Sequence, residues 1–367
     1  MKYYLIAGEA SGDLHGSNLI KEIKKIDSEA EFRCWGGDLI KKESGNELVK
    51  HYKTYSYMGF LEVILNIYTV AKNYFFCRKD ILKYNPDAII YIDFPGFNLP
   101  IAGWAKKNNF INHFYISPQI WAWKENRIKK IKKFIDKMYV ILPFEKDFYK
   151  ERGFEVDYVG HPLLDEIKKT DSEILINEKI IALLPGSRDQ EIKKILPKML
   201  SVVKYFKEFK FIICAAPSQE KSKFDKYLKE INSERIEIVF DQTYSVLKKS
   251  SAALVASGTA TLETALLNVP QVVCYKSSWL SYRIGKYLVK NLKFISLVNL
   301  ILNKEAIKEL IQNELNEKNL VKNIRLIFEK KGRERIQNSY KQLRNKLGEN
   351  GASKKTANLI VNYFENS

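Results

Sequence analysis

The stretch YYLIAGEASGDLHGSNLIKEIKKI, residues 3–26, reads as a strand, a glycine-bearing turn and a helix in direct succession. An apolar run ends at Gly8, and beyond the turn Leu14, Leu19, Ile20, Ile23 and Ile26 can lie along one side of a helix. The glycines stand at positions 8, 12 and 16, which fits neither the G-x-G-x-x-G fingerprint nor a Walker loop ending in Gly-Lys-Ser/Thr. What is left is a helix start whose free backbone N–H groups can accept an anion or sugar hydroxyls. Gly8, Ser11, Gly12, Asp13 and His15 are its candidate site residues.

The same rhythm continues outward. EFRCW, AIIYI (88–92), NHFYIS (112–117), KMYVIL (137–142) and VDYVG (156–160) are strand-like runs separated by helical patterns. After GHPLLD it restarts with KIIALLP (179–185), KFIICAA, RIEIVF, AALVA and PQVVCY. Strands alternating with helices require a parallel sheet covered on both faces, so the expected fold class is α/β, two Rossmann-like domains in tandem. The expected bounds are 1–165 and 166–345, with a terminal helix at 346–367 packing back on the first domain or on a partner. The polar stretch EIKKTDSEILINEK (166–179) is the expected hinge.

At 367 residues, 46% hydrophobic and 13% aromatic, the chain exceeds one comfortable core and is too apolar for disorder. No uncharged apolar run reaches the ~18 residues of a membrane span, because MGFLEVILNIYTVAKNYFF (58–76) carries Glu62 and Lys72. The N-terminus has no secretory pattern, so a cytoplasmic location is expected. Cys34, Cys77, Cys214 and Cys274 are widely spaced, which reads as reduced core thiols, with no metal site. A net charge of +18 favours a polyanionic partner: nucleic acid, anionic lipid or a phosphorylated substrate. KENRIKKIKKFIDK (124–137) and SYRIGKYLVKNLKF (281–294) fit basic amphipathic helices on a membrane surface, and equally a solvated face over an ordinary core stripe.

Ligands of such sheets sit beyond the carboxyl ends of the strands, so the chemistry belongs in the loops. PGSRDQEI places Gly186, Ser187 and Arg188 before a helix start, where amides, a hydroxyl and a guanidinium suit a diphosphate. SGTATLE repeats the device with Ser257, Gly258, Thr259 and Thr261, and Glu263 can accept from a ribose diol. A capping role for Ser257 or Thr259 is compatible with this. DFPGFN leaves Asp93 at the end of a strongly apolar strand, where desolvation raises basicity. It is either a general base or a loop brace; Asp13, His15 and His161 compete for the base role. No G-x-S-x-G elbow, H-E-x-x-H pair or kinase loop set occurs.

Taken in order, GEASGD, MGFLEV, IDFPGFN, SPQIWAW, LPFE, GHP, LLPGSR and ASGTATLE resemble the lipid A disaccharide synthases. That family consists of inverting glycosyltransferases of GT-B architecture, two Rossmann-like domains with parallel sheets facing a central cleft. The resemblance implies transfer from UDP-2,3-diacylglucosamine to 2,3-diacylglucosamine 1-phosphate (lipid X), giving a β-1,6-linked disaccharide 1-phosphate and UDP. It implies Asp93 as the catalytic aspartate, Asn299 at a family site position, and UDP on the 186–188 and 257–263 elements. No cofactor or metal is implied, with leaving-group charge held by Arg188 and helix N-termini. The implied location is the inner face of the inner membrane, with Met58, Phe60, Leu61, Ile64 and Leu65 toward acyl chains or the bilayer. A homodimer with exchanged C-terminal segments is compatible with the family.

Gly96 stands where some relatives carry a second acid, which weakens a two-carboxylate mechanism. The rival enzymes are other UDP-sugar GT-B proteins, a cell-wall glucosaminyltransferase or a UDP-N-acetylglucosamine epimerase. A non-catalytic nucleic-acid binder is the rival from another class, and no known nucleic-acid module interleaves the basic residues.

Overall fold

The computed structural model describes residues 1–55, 67–122, 125–169, 178–216, 219–231, 234–278 and 293–365. The chain divides into two compact units, Met1–Pro162 with Glu349–Ser367, and Leu163–Gly348.

The first unit holds β1 (Lys2–Ala7), β2 (Glu31–Gly36), β3 (Lys50–His51), β4 (Ala88–Ile92), β5 (Ile111–Tyr115), β6 (Lys137–Val140) and β7 (Asp157–Tyr158). They pair in the order 3-2-1-4-5-6-7, every neighbour parallel. The contiguous apolar runs of β1 and β4 occupy the centre, where both faces are buried. Alternate residues feed separate cores: Tyr4, Ile6 and Tyr91 on one face, Tyr3, Leu5 and Ile90 on the other. The second core is closed by Leu19, Ile20 and Ile23 of the helix Ala10–Ile26 and by Ala357, Ile360 and Val361 of the terminal helix Ala352–Glu365. Ile26 is 42% exposed, so the expected apolar side of the first helix ends one turn early.

On the opposite face the helix Ile67–Tyr84 is tied down through its sole acid. Arg33 donates to both Asp80 carboxylate oxygens at 2.7 and 2.6 Å, Tyr4 Oη donates at 2.7 Å, and Trp35 Nε1 donates to Tyr4 Oη at 2.7 Å.

The second unit repeats the plan with β8 (Glu178–Leu184), β9 (Lys210–Ala215), β10 (Ile236–Phe240), β11 (Ser250–Ala256), β12 (Gln271–Tyr275) and β13 (Lys308–Ile311). The order is 10-9-8-11-12-13, again parallel throughout. In each sheet the strand order reverses between two central strands, β1/β4 and β8/β11, which places the topological switch point there.

All four cysteines are free and buried. The expected acyl-facing residues 58–65, most of the basic stretch 281–294 and residues 170–177 of the expected hinge lie outside the described residues. No described helix is long and apolar enough to cross a membrane.

Candidate active site

At the switch point of the first unit, β4 delivers Asp93 beside the exit of β1. Asp93 and Phe94 both take left-handed backbone conformations, with φ of 43° and 50°. Such positions cost about 1–3 kcal/mol each and persist only where surrounding contacts over-determine them. Two contacts do so here. Buried Asn98 donates its side-chain amide to the Asp93 carbonyl at 2.7 Å, and the Phe94 ring packs against Tyr55 and Phe97 with centroids 6.1 and 5.8 Å away. The same ring sits over Gly8, where a Cβ would lie 2.2 Å from its Cγ. That contact is why glycine must follow β1.

The Asp93 carboxyl is pushed up to about 7, first by burial and then by the neighbouring Glu9 carboxylate, to which it is hydrogen-bonded; Glu145 adds to the rise. Glu9 is thus the residue that sequence reasoning missed: it is next to Gly8 in the quoted loop, but 84 positions from its partner. A second carboxylate is present after all, supplied by β1 and not by position 96. Glu145 is buried and braces two strand exits. It accepts from Ser117 Oγ, from Trp121 Nε1 at 3.2 Å, and from the amides of Ile141 and Leu142 at 3.2 and 2.9 Å. Its carboxyl is also raised to about 7, by burial.

The opening glycine segment needs correction. Its turn is confined to Gly8 and Glu9, because the helix begins at Ala10. Gly12 and Gly16 lie inside that helix against the sheet, where added Cβ atoms would lie 3.3 Å from Ala7 and 2.8 Å from Ile40. Their spacing of four is a helix period, and this was the available signal. Asp13 is 4% exposed and its carboxylate accepts from the amides of Gly37, Leu39 and Ile40 at 2.7, 3.1 and 3.0 Å. It caps the start of the helix Asp38–Ser44, with both carboxylate oxygens engaged by those amides. His15 is buried, and His161 is lowered to about 3 by burial and by His15, which makes it a poor proton acceptor. Ser11 is exposed on the first turn of the helix.

At the switch point of the second unit two helix starts stand side by side, after β8 and after β11. Gly186 turns with φ of 102°, and the helix Asp189–Leu200 follows. Gln219 donates to the Ser187 carbonyl at 2.6 Å and holds the loop. Ser187 is exposed, and Arg188 is 67% exposed, its side chain 3.6 Å from Glu191. Gly258 and Thr259 are exposed at the start of the helix Thr259–Leu266. The first amides of both helices have no intrahelical acceptor and carry the positive end of the helix dipole.

The hydroxyls are less available than expected. Ser257 Oγ donates to the Ile295 carbonyl at 3.1 Å, and Thr261 Oγ1 donates to the Gly258 carbonyl at 2.8 Å in a fully buried position. Glu263 is raised to about 7 by burial, and no side-chain hydrogen bond to it is found among the described residues. Asn299 is corrected from ligand contact to brace. Its amide donates to the Ile307 carbonyl and Glu309 at 2.8 Å each, and its oxygen accepts from the Ala306 and Ile307 amides at 2.8 and 3.0 Å. No polar group of that side chain is left for a nucleotide.

Two doubly wound parallel sheets, one with a poised carboxylate at its switch point and one with paired helix starts, define a two-domain α/β protein of GT-B type. Solved structures agree on the fold. A Staphylococcus aureus MnaA structure with UDP aligns with a TM-score of 0.71 at 14% identity over 99% of this chain and 97% of that one. A UDP-GlcNAc 2-epimerase from Neisseria meningitidis aligns with a TM-score of 0.67 at 14% identity over the full length of both chains.

The chain belongs to the lipid-A-disaccharide synthetase family, whose model matches residues 3–363. Lipid-A-disaccharide synthase from Syntrophus aciditrophicus is 36% identical over 99% of this chain and 98% of that protein. The enzyme of the same name from Francisella philomiragia is 37% identical over 91% of each. Membership makes this chain a glycosyltransferase that forms the lipid A disaccharide in lipid A biosynthesis.

Proposed function

We propose that the enzyme transfers 2,3-diacylglucosamine from its UDP derivative to the 6-hydroxyl of 2,3-diacylglucosamine 1-phosphate by one inverting displacement. The observation that carries this is Asp93, a carboxyl whose burial and carboxylate neighbours raise its basicity to the working pH range. Asp93 takes the acceptor hydroxyl proton as the oxygen attacks the anomeric carbon. The bond from that carbon to the diphosphate oxygen breaks, and the electron pair leaves with UDP.

Arg188 and the amides after Gly186 and Gly258 stabilise the diphosphate charge as it develops. This donor set suits a leaving group held without a metal ion. Glu263 is the acceptor for the ribose diol. The lipid substrates imply that the enzyme works at a bilayer surface, on the cytoplasmic side where the nucleotide donor is found. The 58–65 segment is the proposed acyl contact, and a homodimer is compatible with this assignment.

The test is mass-spectrometric detection of product from purified enzyme, both acyl sugars in detergent, and EDTA. A tetraacyl disaccharide 1-phosphate from wild type and none from Asp93→Ala supports the reading. Absence of product from folded wild type that binds UDP refutes it, and product from both removes Asp93 as the base.

A further inference from the structure

The outward face of the helix Ile67–Tyr84 gathers more exposed large hydrophobic residues than any other helix among the described residues. Tyr68, Phe75, Phe76 and Leu82 are 80%, 64%, 44% and 53% exposed, half of all the exposed large hydrophobic residues described. Lys72, Lys79 and Lys83 alternate with them on that face. The helix's only acid, Asp80, faces inward and is neutralised by Arg33. An aromatic surface carrying only positive charge is therefore presented to the outside, where a water-facing helix would carry mixed charge.

Beside this face runs a groove of about 410 Å³ between the helices Ile67–Tyr84, Pro95–Lys107 and Ile128–Phe134. Tyr74, Arg78, Trp104, Lys107, Lys130 and Phe134 line it, and none of its lining residues is acidic. The Arg78 guanidinium lies 4.9 Å from the centre of the Trp104 ring and 5.3 Å from that of Tyr74, which holds a flexible cation in place. Tyr74 Oη donates to the Pro100 carbonyl at 3.1 Å and fixes one wall. Asp136, two residues beyond Phe134, is paired with Lys106.

The groove is not the reaction centre. Pro95 follows the catalytic strand exit, and Trp104 lies nine residues, about 14 Å, along the helix away from it.

We propose that this groove takes the phosphate headgroup of an anionic bilayer phospholipid, while Phe75, Phe76 and Leu82 enter the interface beside it. The proposal rests on the reading that the enzyme works at a bilayer, and it adds a resident lipid site separate from both substrates. Guanidinium and ammonium groups converge on the phosphate, the aromatic rims match the headgroup boundary, and the acyl chains stay in the bilayer. It also gives the stretch IKKIKKF, Ile128–Phe134, a function: Lys130 and Phe134 of this helix close one side of the groove.

The test is flotation of the full chain with vesicles of phosphatidylcholine alone or mixed with phosphatidylglycerol. Wild type is expected to prefer the mixed vesicles. Arg78→Gln with Lys130→Gln should cut partitioning onto mixed vesicles by roughly fivefold per charge and barely alter binding to neutral ones. Phe75→Ser with Phe76→Ser should weaken binding to both. Lys226→Gln with Lys229→Gln, an equal loss of charge on exposed positions of the second unit, should change little.

Equal losses from the groove pair and the control pair would overturn the site in favour of net charge alone. No loss from the groove pair would overturn it as well. Unfolding temperatures confirm that the variants are folded. Turnover of detergent-dispersed substrates by wild type uses no vesicle, so failure of the catalytic reading is seen separately.

Discussion

The two units share one plan, a parallel sheet whose strand order reverses at its centre, and one buried carboxylate of the second contrasts with the carboxyl at the switch point of the first. In the second unit Glu309 is surrounded by donors: it accepts from the Ile295 and Ser296 amides at 2.9 and 3.0 Å, from Ser296 Oγ at 2.7 Å and from Asn299 at 2.8 Å. In the first unit Asp93 is half-buried and faces another carboxylate. A saturated carboxylate is a structural tie, while one opposed by like charge is held ready to take a proton. The helix starts at Gly186 and Gly258 carry the complementary property, donors without acceptors. The two switch points thus differ chemically, with a carboxyl opposed by a carboxylate at one and paired helix starts at the other.

Asp93→Asn tests this division most severely. It removes the proton acceptor and keeps the shape, so kcat should fall about a thousandfold, within the range of lost general-base catalysis. UDP affinity, measured by calorimetry, should stay at the wild-type value. A variant that loses both would show that the two functions are not separable by unit.

Asn299→Ala comes next and should act on folding. It leaves the Ala306 and Ile307 amides without their partner and takes one of three donors from a Glu309 oxygen, at about 1–3 kcal/mol for each buried group left unsatisfied. Urea unfolding should show a loss of at least the lower figure, with UDP affinity unchanged in the folded fraction. Loss of UDP affinity in fully folded protein would return Asn299 to the binding site.

Arg188→Ala should do the reverse. The side chain is largely exposed, so stability should hold, while removal of a charge-assisted contact worth about 1.5–3 kcal/mol weakens UDP binding roughly 10- to 100-fold.

How much of this was legible in the sequence depended on range. The central strands are contiguous apolar runs such as AIIYI, and a buried parallel strand has no other way to be written. The loops that follow them therefore pointed to Asp93, Arg188 and Gly258 before any coordinates. The edge strands β3 and β13, two and four residues long, were not anticipated because so short a pairing leaves no period to read. Asp13 and Asn299 carry plausible site chemistry, and only partners 24 and 7 residues away reveal them as ties. Glu9 failed the other way. As one acid in a glycine-rich turn it had no local signature, and its meaning comes from Asp93 on the neighbouring strand.

Glu9→Gln yields the smallest effect and the sharpest reading of the base. With Asp93 raised to about 7, the wild-type rate should fall as pH drops through that value, because the protonated carboxyl cannot accept from the substrate hydroxyl. Removing the Glu9 charge leaves burial as the main cause of the rise, and an amide in its place can donate to Asp93. Both changes favour the ionised form, so the acid limb of kcat/KM should move to lower pH. The plateau above it should drop only slightly, since a weaker base takes the proton less readily. A limb that stays in place would mean that Glu9 does not govern Asp93. Loss of activity at every pH would identify Glu9 as the group that takes the proton and leave Asp93 as its neighbour.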